Sequence, residues 1–193
     1  MIHRETFSVE TAHQIIRFAD EYHCYAQTYG GAFFYYNMEG SPYAERYAAT
    51  SRLKGVFVGD LIAFIQNPCS KIMLISDPDQ IAVMREDASE RFRGILTVTS
   101  SKPQFLELNP LRATKAIALE KVLAFYGIPL SEAVAFGDSL NDLSMLQACG
   151  RSVSVSNART EVRDLCDDVC LSNEEDGVAH YLLDHYLNGG MSV

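Results

Sequence analysis

The stretch Ala135-Phe136-Gly137-Asp138-Ser139-Leu140-Asn141-Asp142-Leu143-Ser144-Met145-Leu146 decides how this chain folds. An apolar run of strand length over 133–136 breaks at Gly137, and a helix starts after Asp138. Asp138, Asn141 and Asp142 are thereby crowded at the carboxyl end of a strand, which in an open α/β sheet is where ligands bind. Asp138 is a hard oxygen donor of the kind Mg²⁺ takes. It is also a residue type that caps helices, and Asp or Asn in a first turn suits the helix dipole. The rest of the chain separates the metal reading from the cap reading.

Around this stretch, apolar strands alternate with helical patterns. A helix carrying Ala116, Leu119, Leu123 and Tyr126 stops at Gly127-Ile128-Pro129. Strands over 152–155 and 169–171 and helices over 160–166 and 177–187 follow, the pattern of a parallel, doubly wound sheet. The earlier part reads as mixed α/β. Ser8 caps a helix bearing Val9, Ala12, Ile15, Ile16 and Ala19, and Gly30-Gly31 divides strands over 23–29 and 32–38. Pro42 opens a short helix, another covers 60–65, and strands occupy 71–76, 95–101 and 105–108. The expected division is 1–106 and 107–193.

One segment imitates a catalytic motif. Ile75-Ser76-Asp77-Pro78-Asp79 is an apolar strand running into D-x-D, the form of an aspartyl-phosphate nucleophile. Asp77 as N-cap, Pro78 at the first helical position and Gln80 closing a capping box explain it better. No glycine-rich continuation follows Asp79, so Asp77 is read as a cap.

Composition removes several function classes. With 25 acidic against 16 basic residues, the chain carries a formal charge of −9 and no basic cluster. That disfavours nucleic-acid and anionic-membrane partners. The five cysteines are scattered; Cys166 and Cys170 lack a second pair or a nearby histidine, so thiols in a reducing compartment are expected rather than zinc ligands or disulfides. No signal-peptide core and no run of membrane-span length is visible, and the expected location is cytoplasmic.

The second part resembles the C-terminal half of the haloacid dehalogenase (HAD) superfamily core, in its Cof-type, subfamily IIB branch. Thr114-Lys115 opens a helix as that family's motif III lysine does. Gly137 to Leu146 matches the motif IV pattern G-D-x-x-N-D-x-x-M-L at every fixed position, and Asn157-Ala158 and Glu175-Asp176-Gly177-Val178-Ala179 match downstream landmarks. The first hundred or so residues look, more diffusely, like the α/β cap of this branch.

The resemblance implies an α/β fold: the C-terminal half of a HAD-like Rossmannoid parallel sheet plus an α/β cap domain that sets substrate specificity. It implies Mg²⁺-dependent hydrolysis of a phosphate monoester, with a small phosphorylated metabolite such as a sugar phosphate as substrate. Lys115 is then the cation facing the phosphoryl group, Asp138 the Mg²⁺ ligand and Asn141 a substrate hydrogen-bond donor. Asp142 braces the loop or Lys115. Lysine in a helical first turn opposes the helix dipole, which favours a functional reason for Lys115.

The family's D-x-D-G-T nucleophile motif and its Ser/Thr motif are not found in these residues. The chain is therefore expected to begin inside the cap, to be inactive alone, and to expose a sheet edge through which it can self-associate. A non-catalytic ligand- or partner-binding remnant and a phosphomutase on the same core are the alternatives.

Overall fold

Ser8 Oγ accepts the Thr11 N–H at 3.1 Å and starts α1 (Val9–Glu21), as the sequence predicts. The computed structural model describes residues 2–187; Met1 and residues 188–193, the last of which close the expected second part, lie outside the described residues. Two units are present, Arg4–Ala113 and a second that joins residues 2–3 to the run from Thr114 onward.

In the first unit, six strands form one sheet in the order β3-β2-β1-β4-β6-β5. They are β1 (Tyr25–Gly30), β2 (Phe33–Tyr36), β3 (Lys54–Phe57), β4 (Ile72–Ile75), β5 (Leu96–Thr99) and β6 (Phe105–Pro110). Only the β2–β3 pair is parallel. Alternation along β4 sends Ile72 and Leu74 to one face and Met73 and Ile75 to the other. On the first face, Ile15, Ile16 and Phe18 of α1 and Ile81 and Met84 of α4 (Pro78–Arg91) complete a buried cluster. On the second, Tyr25, Phe34, Met73 and Ile75 meet Ala44 of α2 (Pro42–Ser51). Asp60 Oδ1 caps the one-turn α3 (Leu61–Phe64) through the Ile62 and Ala63 N–H groups.

Two expectations need correction here, and one strand had no counterpart among them. Asp77 is the N-cap of α4 with Pro78 following, but it makes no side-chain cap bond and the capping box does not form. Gln80 instead donates to the Tyr22 carbonyl at 2.9 Å and accepts from the Ser76 hydroxyl, so tertiary partners take the side chain the box required. The division between units falls at 113/114, not 106/107. The reason is β6, which continues to Pro110 and pairs with β4 and β5, holding its whole length in the first sheet. Strand β3 was not anticipated: it has four residues, a glycine among them, and is mostly exposed.

The second unit holds β7 (Val134–Gly137), β8 (Arg151–Val155) and β9 (Asp168–Cys170), all parallel, in the order β7-β8-β9. Its helices are α5 (Lys115–Tyr126), α6 (Leu143–Ala148), α7 (Thr160–Arg163) and α8 (Gly177–Leu182), the last continued by a π-helical turn, Leu183–Leu187. Gly127, at φ +68°, ends α5, and the Ile128 N–H closes the cap on the Leu123 carbonyl at 2.9 Å. One buried cluster gathers Ala135, Leu146, Val155, Ala158 and Val162, and Ala133, Val153 and Tyr181 are buried outside it. Helix α7 ends at Arg163, short of the expected 166.

Candidate active site

The parallel register aligns the carboxyl ends of β7 and β8, with Gly137 opposite Ser154. At Gly137 a Cβ would lie 2.7 Å from Asp142 Cβ and 2.9 Å from Leu146 Cδ1, so only glycine lets α6 sit this close to the strand end. The chain then passes Asp138 and Ser139 and winds through a 3-10 turn, Leu140–Asp142, into α6.

Asp142 is the hub. Its Oδ2 accepts the backbone N–H of Asp138 at 3.1 Å and of Ser139 at 3.2 Å. Its Oδ1 receives Nζ of Lys115, the first residue of α5. Thr114 Oγ1 caps that helix by accepting the Ile117 N–H at 3.3 Å. The Asp142 side chain is 5% exposed, whereas that of Lys115 is 49% exposed. Burial by itself would raise the Asp142 carboxyl, but the Lys115 ammonium and the two backbone donors outweigh it and hold the group below the usual carboxylate range. Lys115 is thus tethered at its tip while half of its surface faces solvent.

Asp138 caps no helix. Its carboxylate is exposed and accepts only the Ser139 hydroxyl, at 3.3 Å, while Asp142 begins α6. The cap reading of Asp138 therefore fails on geometry. Asp138 lines a cavity of about 280 Å³ with Phe136, Gly137, Val155, Asn157 and Asn173. Asn157 and Asn173 tie the loops after β8 and β9 together: Asn157 Nδ2 donates to Asn173 Oδ1 at 2.5 Å, and the Asn173 N–H to Asn157 Oδ1 at 3.3 Å. Sequence reading named Asn157 and missed Asn173; the signal for the latter was its place just past the end of a predicted parallel strand. Asn141 is exposed in the 3-10 turn, and its side chain has no hydrogen bond among the described residues. Lys115, Asp142 and the Asp138 backbone are brought together; Asn141 stands beside them without a partner.

Among the described residues no three His, Cys, Asp or Glu side chains come together as a metal-holding group. Asp138 offers one free carboxylate, and Asp142 is already committed to Lys115 and two N–H groups. These residues suit a single protein ligand to Mg²⁺ and do not by themselves build a metal centre.

A half-exposed lysine, braced by a buried carboxylate, thus stands at the carboxyl end of parallel strands of an α/β fold, with the exposed Asp138 carboxylate following the same strand. A family model described as haloacid dehalogenase-like hydrolase matches residues 1–182, and the chain belongs to that family. The phosphatase YwpJ of Bacillus subtilis is 45% identical over 87 residues, 45% of this chain and 30% of that protein. The 5-amino-6-(5-phospho-D-ribitylamino)uracil phosphatase YwtE of the same organism is 35% identical over 113 residues, 58% of this chain and 38% of that one. The chain thus spans well under half of these two relatives. A crystal structure of a haloacid dehalogenase-like hydrolase from Bacteroides thetaiotaomicron superposes with a TM-score of 0.84 at 29% identity, covering 94% of this chain and 68% of that one.

Proposed function

We propose that the second unit is half of a phosphate-monoester hydrolase site, acting on a small phosphorylated metabolite. The observation that carries this is the tether of Lys115 by Asp142: it aims an ammonium from the first turn of a helix, where the dipole disfavours it. In this reading Lys115 neutralises charge developing on the phosphoryl oxygens, which is worth most when the donor is already in place. Asp142 keeps Lys115 positioned and fixes the Asp138-Ser139 backbone. Asn141, unpartnered beside them, donates a hydrogen bond to the substrate. Mg²⁺ is the proposed cofactor and Asp138 its one carboxylate ligand from these residues. The names of the Bacillus phosphatases support the reaction class, and that of YwtE supports a substrate pairing a polyol phosphate with a ring.

These 193 residues alone are proposed to be inactive, since the D-x-D at Asp77 and Asp79 belongs to the start of a helix. The chain is assayed with p-nitrophenyl phosphate and Mg²⁺, alone and fused behind a nucleophile-bearing N-terminal segment from a family relative. Background turnover is expected alone, and Mg²⁺-dependent turnover from the fusion. Lys115→Met or Asp138→Ala should lower the latter by about 10²- to 10³-fold, the scale of losing one charge-stabilising group. A folded fusion without turnover, or turnover indifferent to both substitutions, rejects the assignment.

A further inference from the structure

A cavity of about 570 Å³ opens in the first unit between α2, the β4–α4 junction and the β5–β6 loop. That volume is in the range of small-molecule sites. Tyr43, Tyr47 and Phe105 supply aromatic walls, and Arg46 and Lys102 supply charge. The Lys102 ammonium lies 5.5 Å from the Phe105 ring centroid. Among the described residues neither cation forms an ion pair, and Asp77 is the one carboxylate lining the space. A local excess of positive charge on a chain of net charge −9 favours an anion there.

A buried polar chain leads to this cavity. Tyr25 Oη donates to Gln27 Oε1 at 2.8 Å, Gln27 Nε2 donates to Tyr29 Oη at 2.6 Å, and Tyr29 Oη donates to Tyr47 Oη at 3.0 Å. Gln27 is 0% exposed, so the chain runs inside the second face of the sheet. The Met73 sulfur, 3.5 Å from Tyr29 Oη, is a weak competing acceptor. Burial pushes the Tyr25 and Tyr29 phenols up, so both stay protonated at neutral pH. Each group thus spends its donor on the next. Tyr47, at the end, accepts a hydrogen bond and has no acceptor for its own hydroxyl proton among the described residues. Its ring is fixed edge-on by Phe34, centroids 5.2 Å apart at 80°, and by Phe105 at 6.3 Å and 66°.

We propose that this cavity binds a planar aromatic anion. The ring lies against Tyr43, Tyr47 and Phe105, and its oxyanion, carboxylate or phosphate, meets Arg46, Lys102 and the free proton of the Tyr47 hydroxyl. All the lining residues belong to the first unit, so the site is independent of the phosphoryl assignment to Lys115 and Asp138.

Fluorescence titration of the 193-residue chain with 2-naphthoate, 2-naphthyl phosphate and neutral 2-naphthamide tests it. At least one anion should bind, and the amide should bind more weakly; which anion binds tighter identifies the oxyanion. Arg46→Gln and Lys102→Gln, at exposed positions, should each weaken binding about two- to fivefold, the scale of one solvent-screened charge contact. Tyr47→Phe keeps the ring and should weaken it about three- to tenfold, the scale of one hydrogen bond. Lys115→Met should leave the 2-naphthoate affinity unchanged. Equal affinity for the amide, indifference to the cavity substitutions, sensitivity of 2-naphthoate binding to Lys115→Met, or no binding of any of the three compounds overturns the proposal.

Discussion

Lys115 and Asp142 are joined by an ion pair in which one partner is buried and the other half exposed, Lys115 as the first residue of α5 and Asp142 as the N-cap of α6. The pair locks the start of α5 to the end of β7, because the same carboxylate also holds the Asp138 and Ser139 amides. Asp142→Ala leaves those two N–H groups without their acceptor and should cost about 1–3 kcal/mol, read from the urea midpoint.

The same carboxylate gives an acid dependence. Its folded pKa is depressed, so its contribution is complete above the ordinary carboxylate pKa of about 4 and is lost as pH falls through the lower folded value. Urea unfolding at pH 7 and pH 3 should show a smaller acid loss for Asp142→Asn than for the unaltered chain. An identical acid loss in both would count against this linkage.

Gly137→Ala places a methyl group against Asp142 and Leu146, where the approach leaves no room. A cost of about 1–3 kcal/mol, that of overpacking, is expected. The fusion described above should lose turnover with it, since the methyl displaces Asp142 and hence Lys115; unchanged stability and turnover would contradict the geometry.

In the first unit, Gln27→Leu removes both bonds that link Tyr25 and Tyr29. Chemical denaturation should register about 1–3 kcal/mol, because a buried phenol loses its acceptor.

Self-association is expected through the second unit. Strand β7 carries no neighbour on its other side among the described residues, and α5 presents Phe125 and Tyr126, each 66% exposed. Sedimentation should show concentration-dependent association that Phe125→Lys with Tyr126→Lys reduces at unchanged stability. A monomer at all concentrations refutes it.

Much of the fold was legible because its signals are local. Ser8 and Gly127 punctuate helices by short-range chemistry, and the structure has them in those roles. Gln80 misled because a distant carbonyl, that of Tyr22, competed successfully for its amide. Strand β3 was invisible because its residues serve the neighbouring strand: a Cβ at Gly55 would stand 2.6 Å from the Phe34 ring, so glycine marks a packing requirement that only pairing reveals. At the site, the motif pattern pointed to Lys115, Asp138, Asn141 and Asp142. It did not reveal Asn173, sixteen positions beyond its partner Asn157, since loops after successive parallel strands meet only in three dimensions.

The two units are unequally built: the first encloses a buried cluster on each face of its six-stranded sheet, and the second gathers one smaller cluster against three strands. Cooperative unfolding of the whole chain as one step is then not the natural expectation. Backbone amides of β1, β4 and β6 should exchange with deuterium slowly, and those of β7 to β9 far sooner. The part that presents the lysine is then the part expected to open most readily, so a ligand that binds and steadies it should raise the stability of the weaker unit.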